Sequence, residues 1–376
     1  MLDLVLRGAR VIDPSQEIDG RLDVAFADGR VVALAESIGD PARVVRDATG
    51  LILTPGLIDL HTHVYWGGTS MGVSAAEIAA RSAVTTLVDA GSAGPANFLG
   101  LRHHIIEPAE VRILAFLNIS FPGIFAYSAP VMVGECCDLR LLEPTECIRV
   151  INENRDLIVG VKVRIGRIAS GASGIAPLDM ALEVAAETGL PVMAHIDHPP
   201  PSRREVVMRL RPGDILTHCF KPFPNTLLRS DGEIWEEVRL ARERGVIFDL
   251  GHGGMSFGFH TAAGMLAKGF MPDVLSTDLH VLSVDGPAFD LLTTVSKFHA
   301  LGVDLPTLIR ATTCSPAAAI RRPELGTLRP GSPGDATLIA LEQGKFTYHD
   351  CLGVPLESDT RLVARGAVRR GVWSDH

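Results

Sequence analysis

An apolar run near residue 60 of the sequence ends in two histidines that are separated by one residue. His61 and His63 belong to the stretch "ILTPGLIDLHTHVYWGG", which spans residues 52 to 68. Because side chains alternate along a strand, both imidazoles would lie on the same face. Neutral imidazoles are ligands well suited to zinc. The spacing therefore makes this pair a candidate for metal binding.

Three more polar residues, His195, His218 and Asp278, close later apolar runs in the same way, and one further run, residues 157–165, carries Lys162. Four histidines, one carboxylate and one lysine would then converge on one face of the fold. A structural zinc site has four ligands, and six positions exceed that number. The surplus indicates two metal ions rather than one.

Lys162 is the unexpected member of this set, because an ammonium group has no lone pair and repels cations. It is flanked by valines in "GVKVRIG", and burial there favours the neutral amine. A neutral lysine can add carbon dioxide and become a carbamate, an anion with one oxygen for each of two metals. We therefore expect a CO2-derived carbamate on Lys162 as a bridging ligand.

The elements that must position these residues are apolar strands alternating with helix-like stretches. Most of the strands are continuous apolar runs, which is typical of strands buried on both faces in a parallel sheet. Pro177 and Gly189 bound one intervening helix, in the usual order of start and stop signals. The predicted strands are 56–61, 84–91, 112–120, 157–165, 190–196, 213–219, 245–251 and 272–278.

Eight strands with helical crossovers predict an α/β fold, a (β/α)8 TIM barrel, with a doubly wound open sheet as the alternative. In such a barrel the catalytic groups stand at the C-terminal ends of the strands, where the six polar residues lie. Both chain ends are rich in short β runs, and Asp28-Gly29 is a hairpin turn signal. We expect a small β-sandwich domain formed from both termini, residues 1–54 plus 331–376, beside a barrel of residues 55–330.

Composition excludes several classes of function. The net charge of -9 argues against nucleic acid as a partner, since phosphate binding needs a basic surface. The six cysteines form no C-x-x-C pair, so neither a disulfide framework nor a zinc finger is expected. The N-terminal residues have charges within their apolar stretch, so we expect no signal peptide. No apolar run of about 18 residues occurs, so we expect no membrane span. We expect a cytoplasmic protein with a small-molecule substrate; a homo-oligomer is compatible with the sequence.

The ordered set of six residues resembles the amidohydrolase superfamily with a binuclear metal centre. "PGLIDLHTH" is similar to the usual opening of that family, and "GDATLIAL" to its returning β-domain. The resemblance covers essentially the whole chain. It implies two divalent metals, most readily zinc, with manganese and iron as alternatives. The implied ligands are His61 and His63 for the more buried metal, the carboxylated Lys162 as the bridge, His195 and His218 for the second metal, and Asp278 for the first.

The resemblance also implies a reaction. Two metals would share a hydroxide that attacks a carbonyl, with Asp278 as the general base that passes the proton to the leaving group. The nearest branch is that of dihydroorotases and deacetylases. Dihydroorotases usually carry an arginine two residues after the second histidine, and here that position is Tyr65. This departure favours a deacetylase acting on the amide or ester bond of a small N-acyl or O-acyl compound, often one bearing a carboxylate.

Two alternatives to the deacetylase remain at this point. One is a hydrolase of cyclic amides, of the dihydroorotase or hydantoinase type. The other is a metal-free, non-catalytic scaffold, which the complete ligand set argues against.

Candidates for substrate contact follow from position. Arg164 comes two residues after Lys162 and shares its strand face, which suits it to a substrate carboxylate. Tyr65 and His252 are further candidates, and a role for His198 is left open. The glycine-rich stretch 251–259, "GHGGMSFGF", lacks the ending of a phosphate-binding loop and is expected to be a mobile loop at the site.

Overall fold

Seventeen strands and ten α-helices occur in residues 1–375, the part of the chain that the computed structural model describes. The strands are β1 (Leu2–Asp13), β2 (Ile18–Ala27), β3 (Arg30–Ala35), β4 (Ala42–Asp47), β5 (Ile52–Pro55), β6 (Ile58–Thr62), β7 (Thr86–Ala90), β8 (Arg112–Asn118), β9 (Ala126–Tyr127), β10 (Met132–Val133), β11 (Ile158–Ile165), β12 (Val192–Ile196), β13 (Ile215–Leu216), β14 (Ile247–Phe248), β15 (Ala336–His349), β16 (Pro355–Arg369) and β17 (Val372–Asp375). The α-helices are α1 (Ala75–Ser82), α2 (Phe98–Leu101), α3 (Pro144–Glu153), α4 (Ala176–Thr188), α5 (Arg203–Arg209), α6 (Glu236–Arg244), α7 (Phe259–Ala267), α8 (Leu291–Ala300), α9 (Leu305–Thr312) and α10 (Cys314–Ala319).

Seven parallel strands, in the order β6-β7-β8-β11-β12-β13-β14, form the barrel sheet. An eighth segment, residues 273–279, pairs with both ends of that sheet. Parallel bridges join Asp249 to Val274 and Thr62 to Leu279. The ring of strands is therefore complete, and the predicted (β/α)8 barrel is confirmed.

The eighth segment is not the regular strand that the sequence predicts over 272–278. Asp59 on β6 accepts hydrogen bonds from Thr277 through the backbone N–H (3.0 Å) and the hydroxyl (2.6 Å). Between β6 and the eighth segment, a side-chain carboxylate thus replaces a backbone carbonyl as the acceptor for a backbone N–H. Burial raises the pKa of Asp59 to about 7, and the bonds from Thr277 act in the opposite direction.

The sixth and seventh strands are also shorter than predicted. The runs 213–219 and 245–251 contribute only β13 and β14 to the ladder. The reason is local, since His218 has φ +65° and Gly251 has φ +48°, and neither conformation continues a strand. The chain leaves the sheet there and turns toward the barrel axis.

The second sheet contains strands from both ends of the chain. Its order is β17-β16-β15-β5-β1-β2-β3, with β4 paired to β1. The termini meet where Thr54 on β5 pairs antiparallel with Thr337 on β15, which confirms a β-rich unit built from both ends. Asp28 and Gly29, both with positive φ, form the turn between β2 and β3. The domain limits 1–54, 55–330 and 331–376 stay a prediction, and residue 376 lies outside the described residues.

Two bulk features accompany this fold. Each of the six cysteines, all within the described residues, is a free thiol. Over residues 1–375, no helix combines the length and the apolar character needed to cross a bilayer.

The turn between β15 and β16, residues 350–354, reaches across to the barrel mouth; we call it the hairpin tip. The backbone N–H of Cys351 donates to the carbonyl of Phe257 at 3.0 Å. The carboxylate of Asp350 accepts from the N–H of Phe259 at 2.9 Å. The terminal sheet therefore holds the glycine-rich stretch 251–259, which the sequence suggested would be mobile.

Lys297 on α8 links stretch 251–259 to β15 and to the loop before α8. Its buried ammonium donates to the carbonyls of Pro287 (2.7 Å) and His349 (2.9 Å) and to Nε2 of His252 (2.7 Å). Burial lowers the pKa of Lys297 to about 7, against 10.5 for an ordinary lysine. Between these two pH values the unfolded chain binds a proton that the folded chain does not.

The free energy of unfolding should therefore rise with pH from about 7 to about 10.5 through this lysine. In Lys297→Met that part of the rise should be lost. Urea unfolding of metal-free protein at several pH values in this window measures it, with the exposed Lys345→Met as the matched control. An unchanged pH slope in Lys297→Met would show that the side chain keeps its ordinary pKa when buried.

Candidate active site

Asp278, in the segment that closes the barrel, is the centre of a buried group of histidines. Its Oδ1 lies 3.2 Å from Nε2 of His63 and 3.4 Å from Nε2 of His61. Its Oδ2 lies 4.0 Å from Nε2 of His218. Ligand atoms of His61, His218 and Asp278 all lie within 4.8 Å of one another. The ends of β6, β13 and the eighth segment thus converge on one carboxylate.

The remaining two predicted ligands join the same group. Nζ of Lys162 on β11 lies 3.2 Å from Nε2 of His61. The ring of His195, at the end of β12, packs edge-on against that of His218 with 4.6 Å between the centroids. All six residues that the sequence singled out are therefore brought together. Their roles as metal ligands remain a prediction.

Hydrogen bonds fix the orientation of the His61 ring. The hydroxyl of Thr217 donates to Oδ2 of Asp249 at 2.6 Å, so its oxygen is free to accept from Nδ1 of His61 at 2.9 Å. Nδ1 also lies 3.3 Å from Oδ2 of Asp249. The proton of His61 is therefore held on Nδ1, which leaves the lone pair of Nε2 facing Asp278. A carboxylate behind a metal-binding histidine is a common way to orient it.

The rings of His218 and His63 are fixed in a similar way. Nδ1 of His218 donates to the carbonyl of Gly251 at 2.7 Å, which requires its proton there. Nδ1 of His63 lies 2.9 Å from the hydroxyl of Ser92. Burial lowers the pKa of His61, His195 and His218 well below the usual value, so these rings are neutral.

This donor set fits a divalent cation. Neutral imidazole Nε2 atoms and an ionised carboxylate are the ligands that zinc takes in catalytic sites. The Nε2 atom of His195 is buried and has no hydrogen-bond partner among the described residues, which is costly unless a ligand takes its lone pair. Lys162 fits only as a neutral amine or its CO2 adduct, and burial lowers its pKa to about 8.

The backbone of two glycines in the stretch 251–259 lies directly against the candidate metal ligands and their hydrogen-bond partners. A Cβ at Gly251 would lie 2.3 Å from Oγ1 of Thr217 and 2.8 Å from Nδ1 of His218. A Cβ at Gly253, where φ is +53°, would lie 2.5 Å from Oδ2 of Asp278. Close backbone approach, rather than mobility, is the reason for glycine at these two positions.

Gly253→Ala should therefore cost more than left-handed strain alone. We expect strain of about 1–2 kcal/mol at either glycine and a further 1–3 kcal/mol, roughly, from the collision with Asp278. Gly189→Ala is the matched control, since its φ is also positive and an added Cβ meets nothing within 4 Å. Urea unfolding compares the two variants, and equal losses would show that Asp278 yields without cost.

A cavity of about 250 Å³ opens above these residues at the C-terminal ends of the barrel strands. Arg164 lines it, as the sequence suggested, together with Tyr127. The guanidinium of Arg164 pairs with Glu135 at 3.2 Å and stacks on the Tyr127 ring. The other lining residues are Met132, Ile168, His195, Asp197, His198, Lys221, Gly254, Met255, Ser256, Asp278, His280 and Leu282.

Tyr65 and His252, the other two predicted substrate contacts, are not brought to this cavity. The Tyr65 hydroxyl donates to the carbonyl of Asn97 at 3.0 Å, and the ring is buried. Both ring nitrogens of His252 are engaged, one by Gly253 and one by Lys297. Proximity in sequence to a strand end placed both residues near the site, but the loops turn their side chains away.

His280 is a cavity residue that the sequence reasoning missed. Its Nδ1 accepts the backbone N–H of Leu282 at 3.1 Å, so the ring proton is on Nε2, which lies 4.0 Å from Oδ2 of Asp278. Burial lowers the pKa of His280 to about 4. The signal was present, because His280 follows Asp278 by two residues, just as Arg164 follows Lys162.

Comparison with known proteins gives four matches. The sequence matches the model of the Amidohydrolase family over residues 52–374. It is 38% identical to a deacetylase of Agrobacterium fabrum (strain C58 / ATCC 33970) over 327 residues, which cover 87% of this chain and 80% of that protein. Among solved structures, a dihydroorotase has a TM-score of 0.91 at 32% identity, covering 100% of this chain and 99% of that one. An adenine deaminase has a TM-score of 0.93 at 28% identity, covering 100% of both chains.

Proposed function

The chain belongs to the amidohydrolase family, and from this membership we propose that it is a metal-dependent deacylase, which removes the acyl group from a small N-acyl or O-acyl compound. The family and the deacetylase relatives establish a hydrolase of carbon–nitrogen bonds. The observation that supports metal dependence is the grouping of His61, His63, Lys162, His195 and His218 around Asp278, with a cavity directly above. The deacetylase relatives support the acyl substrate.

The proposed metal ligands are those that the sequence indicated. His61, His63 and Asp278 would hold one divalent ion and His195 and His218 the other, with carboxylated Lys162 between them. When bound, the two ions would activate water and polarise the scissile carbonyl. Zinc suits this set of imidazoles and carboxylates. The oriented Nε2 lone pairs and the unpartnered Nε2 of His195 support the proposal.

Asp278 is the proposed general base. Its carboxylate lines the cavity, and burial raises its pKa, but the hydrogen bond to His63 acts in the opposite direction and holds that pKa below the usual value. It is therefore ionised, as a group that accepts a proton from the attacking water must be. The same oxygen can then deliver that proton to the leaving nitrogen or oxygen.

The substrate is proposed to be small and to carry a carboxylate. A cavity of about 250 Å³ lies below the 300–1,000 Å³ or so that drug-sized ligands occupy. Cationic side chains line it, Arg164 among them, together with apolar ones. The cytoplasmic location also stays a proposal, supported by the free thiols.

Hydrolysis of a cyclic amide is the second candidate, and the structural likeness to a dihydroorotase favours it. Against it, the position of the carboxylate-binding arginine is Tyr65, whose hydroxyl is engaged by Asn97. Adenine deamination deserves a place in the same test because of the second structural likeness.

A substrate screen with zinc-loaded enzyme separates these reactions. It comprises N-acetyl amino acids, O-acetyl hydroxy acids, dihydroorotate, hydantoins and adenine. We expect turnover of an acyl compound and about two equivalents of zinc, the number that the ligand set indicates. Turnover confined to the cyclic compounds or adenine would contradict the deacylase. Less than about one equivalent of zinc with no turnover would indicate a non-catalytic scaffold.

A further inference from the structure

Lys221 is a buried cation that has no carboxylate partner in the protein. It follows the strand-end histidine His218 by three residues, and its side chain lines the cavity. The residue is 8% exposed, and Nζ donates one hydrogen bond, to the carbonyl of Ile196 at 3.2 Å. Within residues 1–375, no carboxylate oxygen comes within 4.0 Å of this nitrogen. Burial without a close carboxylate lowers the pKa of Lys221, and an anion bound beside Nζ would stabilise its charged form.

The carboxylate that acts on Lys221 from further away is already occupied. Asp197 lines the same cavity and is the acidic group whose charge most affects Lys221. Its Oδ2 accepts from the N–H of Ala169 at 2.9 Å, and its Oδ1 from that of Ile168 at 3.4 Å. Asp197 therefore holds the loop after β11 rather than the ammonium of Lys221.

Arg164, which the sequence suggested as the partner of a substrate carboxylate, does have a carboxylate partner within the protein. Its guanidinium has a protein counterion in Glu135, which is itself fully buried, and it lies over the ring of Tyr127. A substrate carboxylate would meet a charge that Glu135 has already balanced. At Lys221 it would meet an unbalanced one.

We propose that Lys221 determines substrate specificity by binding the carboxylate of the substrate, with Arg164 in a supporting position. The inference rests on the proposed deacylase function and deepens it. The scissile bond would lie at the end of the cavity formed by Asp278 and His195, and the carboxylate at Lys221. Apolar side chains form much of the remaining wall: Met132, Ile168, Met255 and Leu282. The substrate class is therefore a small acylated carboxylic acid with one apolar side group.

Turnover of matched pairs of compounds tests this assignment. N-acetyl-leucine is compared with N-isopentylacetamide, and O-acetyl lactate with ethyl acetate, so that each pair differs only in the carboxylate. In Lys221→Met, kcat/KM for the acid should fall about 10- to 100-fold more than for its neutral analogue, mainly through KM. Lys221→Arg should restore much of the difference. Lys345→Met, exposed on β15, is the control for removing a lysine charge.

Equilibrium binding separates failure of this inference from failure of the proposed reaction. Calorimetry measures the affinity of zinc-loaded wild type and of zinc-loaded Lys221→Met for isovalerate and for isovaleramide. For each compound, the wild-type affinity is divided by that of the variant. A ratio of about 10 or more for the acid, and near 1 for the amide, supports the assignment even if no acyl compound is turned over. Equal losses for acid and amide, or discrimination that follows Arg164→Met instead, would overturn it.

Discussion

Asp278→Asn is expected to lower kcat/KM for the acyl substrate by about 10²- to 10⁴-fold, the range of a general base. Asparagine keeps the shape of the side chain but has no basic oxygen, so no group at this position can take the proton from water. It also weakens the contacts to His61 and His63, which lie 3.4 and 3.2 Å from Oδ1. Steady-state kinetics at saturating zinc measures the loss.

The matched control for this variant is Asp285→Asn, seven residues further along the chain. Its side chain is 89% exposed, and its one ion pair, to Arg81, is 3.9 Å long. That variant should keep wild-type activity. If Asp278→Asn kept more than about a tenth of kcat/KM, the proton would have to go to another acceptor, and Asp278 would be a ligand only.

Lys162→Met is expected to lower metal affinity by more than about 100-fold, because even the loss of an outer-shell partner costs about 10- to 100-fold. Methionine fills much of the same buried space, but it has no amine, so it can neither bind CO2 nor bridge two ions. Chelator competition measures the affinity. Protein reconstituted with zinc in 13C-bicarbonate should show a carbamate NMR signal, and Lys162→Met should not.

Lys297→Met is the control for that signal. Lys297 is also a buried lysine whose pKa burial lowers, to about 7, but it has three acceptors and lies outside the metal site. Its removal should leave the 13C signal in place. A carbamate signal in Lys162→Met, or none in the wild type, would remove the bridging role from Lys162 and leave five ligands.

The strand ends were the most predictable part of the molecule. Side chains alternate along a strand, and the C-terminal ends of parallel strands meet at one face of a barrel. These two rules indicated six residues, from His61 to Asp278, and the structure brings all six together. Both rules are local, so one sequence is enough to apply them. They also applied to His280, which was overlooked although it has the same two-residue offset as Arg164.

Residues in loops were far less predictable. Tyr65 and His252 follow strand ends within a few residues, as His280 does, yet their side chains turn toward Asn97 and Lys297. The partners that decide this lie more than 30 residues away in the chain. The sequence did not indicate Lys221 as a substrate contact for the same reason. Its proposed role depends on the lack of a carboxylate near Nζ, which only the fold determines.

The eighth strand shows how a side chain can replace a regular ladder. The pattern of residues 272–278 is that of a strand, and the segment does occupy the eighth place in the ring. Asp59 nevertheless binds the N–H and hydroxyl of Thr277, and Asp278 adopts φ +49°. Periodicity alone could not reveal a carboxylate acting across the seam.

The hairpin tip has a consequence for how this architecture can be recombined. Cys351 and Asp350 hold Phe257 and Phe259, and the residues just before those phenylalanines, Met255 and Ser256, line the cavity. The tip and stretch 251–259 are thus one structural unit, although about 90 residues separate them in the sequence. A chimaera that takes its terminal sheet from one relative and its barrel from another should keep its candidate metal ligands but lose its substrate preference. To keep that preference, the hairpin tip and stretch 251–259 must come from the same parent.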